Sequence, residues 1–72
     1  MQFAIIGLGA FGQTCANELE RLGNQVLAID INEKLVDDIS DKVTSALIAD
    51  ATDKETLLEL DLANYDGVLV SI

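Results

Sequence analysis

Three glycines at the spacing Gly7-x-Gly9-x-x-Gly12 and two aspartates, Asp30 and Asp50, are the residues of this chain whose types and positions can do chemistry. Gly7 permits a sharp turn, Gly9 lets the backbone approach a pyrophosphate with no β-carbon in between, and Gly12 allows a helix to pack tightly on a sheet. A helix starting here offers unpaired N–H groups and the positive end of its dipole to an anion. Asp30 stands about twenty residues on, where this pattern expects an acidic ligand for ribose hydroxyls. Asp50 either accepts from an adenine amino group or is a simple turn aspartate, and the residues leave both readings open. A glycine turn also serves close packing in sheet proteins that bind nothing, so the nucleotide reading depends on what surrounds the turn.

The surrounding elements supply that context. Residues 2–6 are near-continuously apolar, like a strand buried on both faces. Phe11, Cys15, Leu19 and Leu22 then recur at helical spacing, with Glu18, Glu20 and Arg21 at water-facing positions, and Gly23 can close this first helix in a left-handed cap. Residues 25–29 read as a second strand with Asp30 at its end. A second helix over residues 32–42 is capped by Asn32 and carries Leu35, Val36, Ile39 and Val43 on one stripe. Asp37, Asp38 and Asp41 alternate with that stripe, which reads as a solvated face rather than a cation site. Residues 46–49 form a short third strand. Thr52 and Glu55 predict a capping box for a third helix anchored by Leu57, Leu58 and Leu62. Residues 68–72 read as a fourth strand. Alternating strands and helices with right-handed crossovers imply a four-stranded parallel sheet of order 3-2-1-4 with about three helices, half of a doubly wound Rossmann fold. Residues 1–72 therefore read as a single, truncated Rossmann-type domain.

Composition narrows the function classes. Half of the 72 residues are hydrophobic, and no apolar run approaches the length of a membrane span. Thirteen acidic against four basic residues give a net charge of −9, which repels nucleic acid and anionic membrane surfaces. Histidine is absent, which excludes imidazole metal sites and a histidine base. Cys15, the lone cysteine, reads as a structural thiol on the apolar stripe. The expectation is a soluble, cytoplasmic protein.

Residues 3–12 (FAIIGLGAFG), 27–33 (LAIDINE), 48–53 (IADATD) and 64–70 (NYDGVLV) together resemble the KTN domain, also called RCK or TrkA-N. These are nucleotide-binding regulatory subunits of Trk/Ktr potassium uptake systems, and the KtrA-like branch looks nearest. The resemblance implies a non-catalytic module that binds NAD(H), ATP or ADP, forms homo-oligomers, and docks at the inner face of the membrane beneath a potassium-translocating subunit. It assigns phosphates to Gly7, Gly9, Ala10, Phe11 and Gly12, ribose to Asp30, Ile31 and Asn32, and the adenine side to Asp50 and Ala51 with Thr52 beside them. Ile72 marks the end of the fourth strand at the same site. NADP is disfavoured, because Asp30 would face its 2′-phosphate as a like charge with no arginine following. The chain departs from the family pattern at Ala10, where relatives usually carry an arginine reaching the terminal phosphates. It departs again at Asp61, where they often have a helix-ending glycine.

A rival reading is the N-terminal cofactor-binding fragment of an NAD-dependent oxidoreductase. Hydride transfer needs a positioned acid or base in a substrate pocket, and only carboxylates and Tyr65 are available for that role. A third reading is a folding fragment that binds nothing. The fourth strand is expected at the sheet edge, apolar and unpaired on one side, and so predicts a two-fold dimer across it.

Overall fold

Strands and helices alternate throughout the computed structural model, which describes residues 1–72: β1 (Gln2–Ile6), α1 (Ala10–Arg21), β2 (Gln25–Asp30), α2 (Glu33–Ile39), β3 (Ser45–Ile48), α3 (Lys54–Glu59), a 3-10 turn (Leu62–Asn64) and β4 (Gly67–Val70). All strand pairs are parallel, in the order β3-β2-β1-β4. This is the α/β half-fold expected from the alternation. Because β1 is central, its apolar residues are consecutive rather than alternating, and Ala4, Ile5 and Ile6 are all buried. In register, Ile5 lies between Ala28 of β2 and Leu69 of β4. The sheet packs on α1 and α2 through Ile5, Leu8, Ala16, Val26, Ala28, Val36 and Ile39.

Helix α1 turns to the sheet a face that keeps Cys15 and Leu19 of the expected stripe but is rotated away from Phe11 and Leu22. Gly12 and Ala16 are buried, Cys15 and Leu19 pack partly buried against the core, and Phe11 and Leu22 are 64% and 63% exposed. The reason is the closeness of the approach: a Cβ on Gly12 would lie 1.9 Å from the Gly7 carbonyl oxygen, so only small residues fit beneath the helix. Glu20, expected to face water, instead accepts from the N–H groups of Val26 and Thr44, both at 3.0 Å, and from the Thr44 hydroxyl at 2.7 Å. It clamps α1 to the starting ends of β2 and β3. Gly23, at φ +93, closes the helix as expected.

Helix α2 is capped by Asn32, whose side chain accepts from the N–H groups of Lys34 and Leu35. It is shorter than its stripe predicts and ends at Ile39. Val43 packs on the core from the following turn, and Thr44 beyond it meets Glu20.

The predicted capping box does not form. Asp53 is the N-cap of α3 and accepts from Glu55 N–H at 3.0 Å, while the Thr52 hydroxyl donates to Asp50. An ionised Asp53 one residue nearer the helix is the stronger acceptor for those N–H groups, and Asp50 engages Thr52. Leu57 is half-buried, but Leu58 is 71% exposed and Leu62 belongs to the 3-10 turn. Asp61 adopts the left-handed conformation at φ 54, at the position marked in the sequence as one where relatives have glycine. Strand β4 ends at Val70 rather than running through Ile72, although Ser71 N–H still donates to Ile6 C=O at 2.8 Å.

Candidate functional site

The carboxyl ends of all four strands surround a cleft of about 360 Å³, within the range of small-ligand sites. It lies where the strand order reverses beside β1, the usual ligand position in open α/β sheets. Each glycine of the turn has its own reason there. Gly7 is at φ +99, and a Cβ on it would sit 2.8 Å from the Ser71 carbonyl oxygen. Gly12 has no room because of the Gly7 carbonyl. Gly9 is different: its φ of −66 suits any residue, and nothing lies within 4 Å of where its Cβ would be. Gly9 itself lines the cleft.

Helix α1 starts from Gly9, its N-cap residue, at the rim of the cleft. No side chain caps it and its first turn has no acidic residue, whereas α2 and α3 are each capped by a side chain. The first main-chain bond of the helix runs from Gln13 N–H to Gly9 C=O, so the N–H groups of Ala10, Phe11 and Gly12 have no acceptor from the chain. Such N–H groups need an external partner.

Two carboxylates reach the rim. Asp30 Oδ2 accepts from Leu8 N–H at 2.7 Å, and its Oδ1 accepts from Asn32 N–H at 2.9 Å. An ionised carboxylate has about four acceptor sites, so Asp30 keeps capacity for ligand hydroxyls while held in place by the main chain. Asp50 Oδ1 accepts from the Thr52 hydroxyl at 2.6 Å and from Thr52 N–H at 2.9 Å. These two bonds, the hydroxyl's first, hold its carboxyl below the usual carboxylate range. Asp50 is thus a turn aspartate of the Asx type that also lines the cleft.

Of the residues singled out from the sequence, Gly7, Gly9, Asp30, Ile31, Asp50, Ala51, Thr52 and Ile72 line the cleft. Ala10 and Phe11 are exposed in the first turn of α1, Gly12 is buried behind the glycine turn, and the Asn32 side chain is committed to capping α2. Sequence reasoning missed Leu8 and Ser71. Leu8 is fully buried within the turn, and the Ser71 hydroxyl donates to Gly7 C=O at 2.7 Å. A polar residue one step past an apolar strand, beside a predicted site residue, was the available signal for Ser71. No lysine or arginine lines the cleft. No group of three potential metal ligands occurs, and no helix is long and apolar enough to cross a membrane.

Fold and site together define the glycine-turn half of a doubly wound α/β protein. The TrkA-N domain profile matches residues 3–72, and the chain belongs to that family. It is 48% identical over 71 residues to Ktr system potassium uptake protein A of Bacillus subtilis (strain 168), and equally to the protein of that name from Vibrio alginolyticus. It is 41% identical over 71 residues to Ktr system potassium uptake protein C of Bacillus subtilis (strain 168). Each alignment covers 99% of this chain and 32% of the relative, so the chain spans about a third of the length of the curated relatives it matches.

Proposed function

We propose that this domain binds an adenosine nucleotide, NAD(H), ADP or ATP, as the regulatory ligand of a potassium uptake system. It acts without catalysis, as a homo-oligomer held at the cytoplasmic face of the membrane by a potassium-translocating partner. The observation that carries the nucleotide reading is Gly9: its missing side chain serves neither the backbone conformation nor the packing, and it lines the cleft as the residue from which the uncapped helix α1 starts. The residues fit the ligand. Ala10, Phe11 and Gly12 would offer N–H groups to phosphate, Asp30 would accept from ribose hydroxyls, and the apolar floor with Asp50 would take the base. The names of the relatives support the transport role.

Calorimetry against NADH, NADPH, ADP and ATP tests this reading. NADH should bind better than NADPH, because Asp30 would repel a 2′-phosphate. Asp30→Ala should weaken NADH by about 1.5–3 kcal/mol, the range for hydrogen bonds to a charged group. No binding of any of the four, or equal binding of NADH by wild type and variant, would overturn the assignment.

A further inference from the structure

The peptide group that joins Gly7 to Leu8 is gripped at both polar ends by side chains from the strands flanking β1. Its carbonyl oxygen accepts from the Ser71 hydroxyl, just past β4, at 2.7 Å. Its N–H donates to Asp30 Oδ2, at the end of β2, also at 2.7 Å. A peptide unit is planar, so its C=O and N–H turn together and the orientation of one end dictates the other. Glycine at φ +99 has a wide conformational range, and the two side chains select one orientation from it.

Ser71 is held against the turn in other ways too. Its N–H is bonded to Ile6 C=O at 2.8 Å, and its carbonyl oxygen closes the space beside Gly7. A Cβ on Gly12 would lie 1.9 Å from the Gly7 carbonyl oxygen and 2.6 Å from Ser71 Oγ. The third glycine of the turn therefore makes room for this hydroxyl–carbonyl pair as well as for the helix above it.

We propose that Ser71 is a positioning residue that orients the carboxylate of Asp30 toward ligand hydroxyls, acting through the Gly7–Leu8 peptide plane. The inference rests on the nucleotide reading above. Leu8 N–H on Oδ2 and Asn32 N–H on Oδ1 orient the Asp30 carboxylate and leave its remaining acceptor sites for a ribose diol. Without the Ser71 hydroxyl the peptide plane loses one of its two side-chain restraints, and the Leu8 N–H bond, one of the two that aim the carboxylate, is loosened. The consequence is a loss of discrimination between ligands with and without a ribose hydroxyl, rather than uniform weakening.

The test is calorimetric titration of wild type, Ser71→Ala and Thr44→Ala with ADP and with 2′-deoxy-ADP. Thr44 bonds Glu20 at the opposite end of the sheet, so its variant loosens the domain without touching the cleft. Wild type and Thr44→Ala should prefer ADP by about tenfold, the worth of a hydrogen bond to a charged group, and Ser71→Ala should bring the ratio close to one. Amide exchange of the nucleotide-free protein gives a second reading, in which Leu8 N–H should exchange about tenfold faster in Ser71→Ala than in wild type, the scale of one lost hydrogen bond. Wild type binding neither nucleotide would overturn the nucleotide reading itself. Wild type discriminating while Ser71→Ala discriminates equally, an equal loss in Thr44→Ala, or unchanged Leu8 exchange would each overturn the inference alone.

Discussion

Gly9 separates what the fold requires from what a ligand requires. Gly7 and Gly12 cannot be replaced without displacing backbone, so their glycines are structural whatever the domain binds. At Gly9 the extended conformation, φ −66 and ψ −173, is that of an N-cap residue, and a side chain there would meet only open space. Serine at this position would cap α1 with its hydroxyl and lower the entropy of the unfolded chain. Gly9→Ser is therefore expected to stabilise the nucleotide-free protein by about 0.5–1 kcal/mol and to weaken ADP binding about tenfold or more, because the new side chain occupies the phosphate space. Thermal melts and calorimetry on the one variant read both effects. A variant that binds ADP as wild type does would remove the main support for the phosphate assignment.

Among the α-helices, α3 is the one with no buried residue, and it is followed by Asp61 in a left-handed conformation. That conformation crowds the β-carbon of an L-residue. The Asp61 carboxylate compensates by accepting from the Asn64 side chain. Asp61→Gly should remove the strain and raise stability by about 0.5–1 kcal/mol, a rise in Tm of about 2–8 °C for a domain of this size. Scanning calorimetry checks it, and a lowered Tm would mean that the Asn64 contact outweighs the strain. At the other end of the sheet, Glu20 accepts three hydrogen bonds at once, two of them from main-chain N–H groups. Glu20→Ala leaves those donors without their partner and should cost about 1–3 kcal/mol in chemical denaturation, with ADP affinity unchanged because the clamp is remote from the cleft.

For the whole molecule, charge sets an unusual expectation. A net charge of −9 repels a nucleotide at long range, and the cleft offers phosphate only main-chain N–H groups. Salt screens the repulsion without competing for a lysine or arginine. Raising ionic strength from about 0.01 to about 0.15 M shortens the Debye length from about 30 to about 8 Å, and ADP affinity should rise over that range. A fall would point to a basic side chain at the phosphates. Strand β4 pairs only with β1, with Val68 and Val70 43% and 62% exposed, and an apolar unpaired edge is a template for a second copy. Light scattering of residues 1–72 should therefore show association that Val70→Lys weakens, and a stable monomer at high concentration would argue against this contact.

The sequence by itself determined the sheet order, the position of β1 and the turn at which the cleft opens. Consecutive apolar residues, a glycine turn and alternating elements are local patterns, and the handedness of crossovers leaves few ways to assemble them. Asn32 as a cap and Gly23 as a helix end were legible for the same reason, since each depends only on neighbours in the chain. Tertiary structure decided the rest. How closely α1 approaches the sheet left Phe11 and Leu22 outside and brought Gly12 and Ala16 in, which no periodicity of large apolar residues encodes. The bonds from Glu20 to Thr44 and from Ser71 to Gly7 join residues distant in sequence, and each exists only because parallel crossovers bring separate strand ends together. The exchange of Thr52 for Asp53 as the cap of α3 reflects competition: two acceptors lie near the same helix start, and the Thr52 hydroxyl is engaged by Asp50.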